Sequence, residues 1–271
     1  MPSLYVVATP IGNLEDITLR ALRVLGEVKL IAAEDTRRTR QLLSAYKIKT
    51  PVTSYHERNK FSKLDYILNR LGDGDVALVS DAGMPGIADP GRELIAACAR
   101  RGVPVVPIPG PSVVVTALAV SGLDTGRFVY LGFLPNRAGA RRKLLQSVAT
   151  ETATLVMFEA PHRLLAALND VLTIMGDRKI AVGRELTKLH EEVFRGTIRQ
   201  AIDHFAEPRG EFTLVVSGSE GLEKLEMTPD IEARMVEMRC SGMTAREVVT
   251  RLAGETGLPR KELYRAWLRR A

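Results

Sequence analysis

Val76-Ala-Leu-Val-Ser-Asp-Ala-Gly-Met-Pro-Gly-Ile-Ala-Asp-Pro-Gly91 is the stretch that decides the fold. Residues 76–80, apolar over the first four, read as a short strand. Residues 90–101 then carry apolar side chains at helical spacing. In the loop between them, glycines let the backbone approach a ligand closely and prolines fix the loop's shape. A strand that passes through a loop into a helix is the repeating unit of a parallel α/β sheet. The same cycle recurs on both sides. Residues 4–8, 29–33, 52–55 and 103–108 read as strands, and residues 37–46 and 61–71 as helices. Asn13 suits a helix N-cap, with Glu15 and Asp16 in the first turn and Gly26 past the end.

After Ser121-Gly122 the pattern resumes, with strands at 128–133, 154–158, 180–182 and 212–217 and a helix at 164–175. Residues 135–143 read as a basic connection. From about residue 228 the pattern is helical only. Thr244 and Glu247 fit a capping box, Gly254 and Gly257 a turn, and Pro259 the start of a last helix. The expected fold class is therefore α/β: one lobe over 1–120, a second over 121–225, and a helical appendage over 226–271.

The 271 residues are 45% hydrophobic and 26% charged, which suits a folded chain long enough for two domains. No apolar run approaches the roughly 20 residues that span a bilayer. The N-terminus carries no secretory pattern, so a cytoplasmic protein with no membrane partner is expected. Cys98 and Cys240 belong to no Cys-x-x-Cys or Cys/His cluster, so no metal site is expected. Cys98 falls in an apolar helical pattern and reads as a small buried hydrophobe. The formal charge is +6, with basic residues gathered at Arg137, Arg141, Arg142 and Lys143 and again at Arg260, Lys261, Arg265, Arg269 and Arg270. Each cluster is either a solvated helix face or a contact for a polyanion.

Three loops combine unusual composition with a place at the carboxyl end of a strand, where α/β sheets bind ligands. They are Thr9-Pro-Ile-Gly-Asn13, the loop over 80–91, and Pro109-Gly-Pro-Ser112. Any one of them alone reads as an ordinary turn; three together point to a pocket for a small polar cofactor. The chain has neither Gly-x-Gly-x-x-Gly after its first strand nor Gly-x4-Gly-Lys-Ser/Thr, which disfavours a dinucleotide fold and a P-loop nucleotidase.

Together with Ala33-Glu-Asp-Thr36, Phe158-Glu-Ala-Pro-His-Arg163, Gly183-Arg-Glu-Leu-Thr-Lys188 and Arg209-Gly-Glu211, these loops resemble the signature of the tetrapyrrole methylase family. The chain is most similar to the branch that moves a methyl group from S-adenosyl-L-methionine to the ribose 2′-oxygen of a cytidine in 16S rRNA. The resemblance implies a cofactor cleft between two lobes, touched by Thr9, Pro10, Asp81, Ala82, Gly83, Met84, Ser112, Val113, Phe158, Phe212 and Thr213. It also implies a homodimer whose partner is 16S rRNA or the small ribosomal subunit.

Asp81 is open to a second reading, as a turn former or helix cap. Catalytic candidates are Glu159, Arg184, Glu185 and Lys188, with His190 and Asp35 behind them. A desolvated Lys188 beside other cations would have a lowered pKa and act as base. Alternatively Arg184 and Lys188 hold phosphates and Glu185 pairs with them. RNA contacts would fall to Arg37, Arg38, Arg137, Arg141, Arg142, Arg163 and Arg265. Tyr264 and Trp267 either stack on bases or pack against the preceding helix. Two rival functions stay open: a methyltransferase acting on a tetrapyrrole intermediate, and a non-catalytic RNA-binding assembly factor.

Overall fold

The computed structural model describes residues 2–219, 227–256, 258 and 260–269. The first sheet and its helices comprise β1 (Leu4–Val7), α1 (Leu19–Glu27), β2 (Leu30–Ala33), α2 (Thr36–Ala45), β3 (Val52–Ser54), α3 (Lys60–Arg70), β4 (Val76–Val79), α4 (Arg92–Arg100) and β5 (Val105–Ile108). All five strands run parallel, in the order β3-β2-β4-β1-β5. Side chains alternate across a strand, so a sheet covered on both faces needs apolar residues at every position. Leu4, Leu30, Ala32, Val76 and Leu78 face a core completed by Ile67 and Leu68 of α3 and Leu94 and Cys98 of α4. Val7, Ile31, Ala33, Ala77 and Val79 face the other side, against Ala21, Val24 and Leu25 of α1 and Leu42 and Leu43 of α2. Each large side chain buried this way contributes about 1.5–3 kcal/mol. Cys98 is buried as expected, and burial pushes its thiol up to about 11.

The helix expected after Asn13 is split. Asn13 caps a 3-10 turn, Leu14–Asp16, through the Glu15 amide at 3.1 Å. Thr18 then caps α1 through the Ala21 amide at 3.1 Å, with extended Ile17 between the two caps.

The second layer system comprises α5 (Val113–Ser121), β6 (Phe128–Phe133), α6 (Ala138–Ser147), β7 (Thr154–Glu159), α7 (Leu164–Met175), β8 (Lys179–Arg184), β9 (Glu192–Thr197), α8 (Ile198–His204) and β10 (Phe212–Val216). Its strand order is β6-β7-β10-β8-β9; only β6 and β7 are parallel, and the other pairs are antiparallel. α5 lays Ala117 and Leu118 on Val156, Ala181 and Val215 of one face. Leu155, Met157, Val182 and Leu214 of the other face meet Leu145, Leu164, Leu168 and Ile198. Two features differ from the sequence reading. β9 and α8 occupy a stretch with no expected element, and the basic connection is largely the helix α6. The chain up to Ala149 together with Ala153–Gly218 forms one compact unit.

A second unit holds Thr150–Thr152 and the chain from Ser219 onward. There α9 (Pro229–Cys240), α10 (Ala245–Thr256) and α11 (Arg260–Arg269) enclose Met235, Val248, Leu252, Leu258 and Leu263. The expected capping box is present: the Thr244 amide donates to Glu247 Oε2 at 2.8 Å, and the Glu247 amide to Thr244 Oγ1 at 3.4 Å. Gly254 lies inside α10 rather than in a turn. Gly257, Pro259 and Arg270 lie outside the described residues, as does the side chain of Arg269. Among the described residues, no helix is long and apolar enough to cross a membrane, and no group of His, Cys, Asp and Glu could hold a metal ion.

Candidate active site

In parallel sheets the strand ends carry the chemistry, and here the ends of β1, β4 and β5 are tied into one rim. The Thr9 amide donates to the Gly83 carbonyl and the Gly83 amide to the Thr9 carbonyl, both at 2.9 Å. Thr9 Oγ1 donates to the Ser80 carbonyl at 3.1 Å. Gly83 has φ +76°, where a side chain would be strained. The first loop also meets the segment after β8: a Cβ on Gly12 would lie 2.5 Å from Lys188 Cγ and 2.7 Å from Thr187 Oγ1. That close approach requires glycine.

The rim borders a cleft of about 410 Å³ between the two sheets. Asp81, Ala82, Gly83, Met84, Ser112 and Val113 line it from the first sheet, and Phe158, Phe212 and Thr213 from the second. Of the expected cofactor residues, Thr9 and Pro10 stand outside the lining; Thr9 is buried as a buttress, and neighbouring Ile11 lines the cleft. Sequence reasoning missed Glu34, Asp89, Tyr130, Phe133, Leu186 and Glu211, which also line it. Tyr130 and Phe133 each set an edge against Phe158, with ring centroids 5.3 Å apart. Phe133 is 61% exposed. Burial, with Asp89 adding to it, pushes the Tyr130 hydroxyl up to about 12.

Of the expected catalytic residues, Glu159 and Lys188 line the cleft, whereas Glu185 and Arg184 are not part of its lining. Lys188 Nζ donates to Glu185 Oε1 at 3.0 Å and to Glu211 Oε2 at 2.9 Å. Burial alone would lower its pKa, but these two carboxylates outweigh burial and hold it above the usual lysine value. This corrects the expectation of a lysine base, because two carboxylates rather than cations flank Lys188; the alternative pairing with Glu185 is present. The Glu185 carboxylate also accepts the Glu211 amide at 2.8 Å. Arg184 is drawn off to Glu192 Oε2 at 3.1 Å and to the Arg209 carbonyl at 2.8 Å. Glu159 is buried, with Oε1 held by Arg163 and by the Ala160 amide. Asp35 caps α2 through the Arg37 amide at 2.7 Å.

The acidic side of the cleft is built at the ends of β2 and β4. Asp81 Oδ1 accepts the Asp35 amide at 3.0 Å, and Arg38 Nη1 lies 3.5 Å from Asp81 Oδ2. The Asp81 amide donates to Glu34 Oε2 at 3.3 Å. Burial, reinforced by Asp89, pushes the Glu34 carboxyl up to about 7. Burial also raises Asp89, against a hydrogen bond from the Ser80 side chain.

The expected RNA contacts divide by exposure. Arg37, Arg38, Arg137, Arg142 and Arg265 are exposed. Arg141 is not: it is 5% exposed, with Nε donating to Asp170 Oδ2 at 2.8 Å. Phosphate contact at Arg141 is therefore corrected to an internal ion pair, and Arg163 is likewise turned inward to Glu159. In the helical unit, Arg246, Arg260, Lys261, Tyr264 and Arg265 line a basic groove. Trp267 packs toward that unit's core, with the Arg239 guanidinium 4.8 Å from its ring centroid.

Two α/β layer systems with strand-end loops converging on a cleft between them define a class of two-lobed cofactor-dependent enzymes. The family model for Tetrapyrrole (Corrin/Porphyrin) Methylases matches residues 3–202, and the chain belongs to that family. It is 47% identical over 269 residues to a Synechocystis protein named ribosomal RNA small subunit methyltransferase I, covering 97% of this chain and 96% of the relative. A Thermotoga maritima protein of the same name is 52% identical over 223 residues, covering 81% of this chain and all of the relative. Among solved structures, the uroporphyrin-III-C-methyltransferase of Thermus thermophilus matches with a TM-score of 0.58 at 21% identity, covering 80% of this chain and 94% of that one. A cobalt precorrin-4 methyltransferase matches with a TM-score of 0.59 at 17% identity over the same shares. These two likenesses establish the fold alone.

Proposed function

We infer that the chain is an S-adenosyl-L-methionine-dependent methyltransferase that methylates the ribose 2′-oxygen of a cytidine in 16S rRNA. The observation that carries this reading is the cleft itself, in a chain 47% identical to a protein named as an rRNA methyltransferase. Its lining fits the cofactor's chemistry. Ile11, Met84, Val113 and Phe158 offer apolar surface to an adenosyl group, and the nearby carboxylates suit an ammonium and a sulfonium. When bound, the cofactor supplies a methyl carbon on a positively charged sulfur. The protein's own residues then have three tasks. Asp81, Ala82, Gly83, Met84, Ser112, Val113, Phe212 and Thr213, all in the cleft lining, would hold the donor. Phe158 of β7 and Leu186 just after β8, both buried, exclude water. Exposed Phe133 offers a face on which one unpaired base stacks, as single-stranded RNA requires.

Support for an RNA acceptor comes from exposed Arg37, Arg38, Arg137 and Arg142 and from the basic groove of the helical unit. A tetrapyrrole acceptor would call for no such groove. The family resemblance supports a homodimer, and rRNA as substrate supports a cytoplasmic protein. Incubating the purified chain with methyl-labelled S-adenosyl-L-methionine and small ribosomal subunits tests the reading. Label is expected in 16S rRNA; no label there, with label in a tetrapyrrole supplied in a parallel incubation, would reverse it.

A further inference from the structure

Most charged groups in the cleft are already satisfied by one another. Lys188 binds Glu211, Asp81 lies beside Arg38, and Glu159 binds Arg163. Among the described carboxylates that line the cleft, Glu34 and Asp89 alone have no Lys, Arg or His nitrogen within 4 Å. Asp89 is tied to its own loop by the Ser80 side chain. Glu34 differs. Its amide donates to the Val79 carbonyl at 3.3 Å, which fixes the backbone at the end of β2. Its side chain accepts only the Asp81 amide among the described residues, on one oxygen and at 3.3 Å. A carboxylate has about four acceptor positions, so Glu34 keeps most of its capacity inside the cleft.

We propose that Glu34 is the catalytic residue that takes the proton from the acceptor ribose hydroxyl. The proposal rests on the methyltransferase reading above. In the step, the hydroxyl O–H bond breaks and its proton passes to the Glu34 carboxylate. The oxygen's electron pair forms the new bond to the methyl carbon. The C–S bond breaks with its pair left on sulfur, so a sulfonium and a carboxylate become a neutral thioether and a neutral acid. Three groups face Glu34: Asp81 and Asp89 from the loop after β4, and Arg38 from α2. Burial and then the Asp89 charge raise its carboxyl; the Asp81 amide hydrogen bond opposes them more than the Asp81 charge adds, and Arg38 opposes them too, leaving it at about 7. A base poised there is about half ionised at neutral pH, the useful range for general-base catalysis. Lys188, which lines the same cleft, is a poorer base, because Glu185 and Glu211 hold its pKa above the usual lysine value.

The test uses the full chain with small ribosomal subunits, in single turnovers from pH about 5.5 to about 9. The wild-type rate is expected to rise through one ionisation near pH 7 and then level off. Glu34→Gln is expected to lose at least about 100-fold in rate and to lose that ionisation, and Glu34→Asp to restore part of both. Calorimetry with S-adenosyl-L-methionine, a readout independent of turnover, is expected to give dissociation constants for wild type and Glu34→Gln within about threefold, or about 0.65 kcal/mol. A Gln variant that keeps the rate and the ionisation overturns the proposal. So does one whose loss of rate is matched by loss of cofactor affinity, which would make Glu34 a cofactor ligand. A wild-type protein that binds the cofactor but methylates no RNA overturns the underlying reading instead.

Discussion

Glu34 and Asp81 meet across the ends of two adjacent parallel strands, with the Asp81 amide donating to Glu34 Oε2 at 3.3 Å. The pairing of β2 with β4 sets this distance, since Ala33 lies opposite Val79 and the chain leaves both strands at the same height. Arg38 stands on the Asp81 side, 3.5 Å from Oδ2, so it relieves one carboxylate more than the other.

A pH-dependent stability difference follows from Glu34. Its carboxyl titrates at about 7 in the native state, against 4.5 for the ordinary group. Below 4.5 both states are protonated. Between 4.5 and about 7 the native state binds more protons than the unfolded one, so this group's contribution falls as pH rises; above 7 the loss is complete. Glu34→Gln is therefore expected to melt close to wild type at pH about 5 and above it at pH about 8. Thermal unfolding across that range checks this, and a gap independent of pH would contradict it.

Lys188 is expected to position rather than to deprotonate. Lys188→Met strands Glu185 and Glu211, whose partner it is, and loosens the loop that Gly12 packs against. Partly exposed pairs of this kind are worth about 1 kcal/mol or less. The variant should lower the rate while leaving the ionisation near pH 7 in place. Loss of that ionisation, with Glu34 intact, would return the base to Lys188.

Arg141 and Asp170 test the placement of a basic cluster. Their side chains are 6% and 8% exposed, and Arg141 Nη2 lies 2.6 Å from Asp170 Oδ2. Asp170→Ala leaves a buried guanidinium without its carboxylate, at a cost of about 3–5 kcal/mol. Arg142→Ala removes the mostly exposed partner and should cost about 1 kcal/mol or less. Chemical denaturation separates the two, and equal losses would contradict the assignment.

The basic groove of the helical unit is expected to contribute electrostatic affinity for RNA. Replacing Arg260 and Arg265 by Ala should weaken rRNA binding and reduce the salt dependence by about one counterion for each phosphate no longer neutralised. Cofactor affinity should not change. Filter binding over a salt series reads the RNA affinity and its slope, and an unchanged slope would remove the groove from the interface.

The sequence carried the loops and strands of the first lobe because their signals are local. The glycines and prolines over 80–91 and the uninterrupted apolar run of β4 need no partner to be read. What was not legible depends on pairing between distant residues. Lys188 read as a cation among cations, with Glu185 as its alternative partner, because Glu211, the second carboxylate it binds, comes 23 residues later. Arg141 looked like surface charge, because Asp170 reaches it from α7, 29 residues away. β9 was hidden by Glu192 and Arg195, charged residues in an edge strand. Glu34 was overlooked for its neighbour Asp35, read as a catalytic candidate, which instead caps α2. The setting of Glu34 exists only once β2 lies beside β4.

The central claim is methyl transfer to a ribose oxygen, and alkali provides the most direct test. A 2′-O-methyl group blocks cleavage of the following phosphodiester, because the attacking hydroxyl is gone. Small-subunit rRNA methylated by the wild-type chain with labelled S-adenosyl-L-methionine should yield, after complete alkaline hydrolysis, label in an alkali-resistant dinucleotide that begins with cytidine. Label released as an ordinary mononucleotide, which would place the methyl group on a base, would contradict the account.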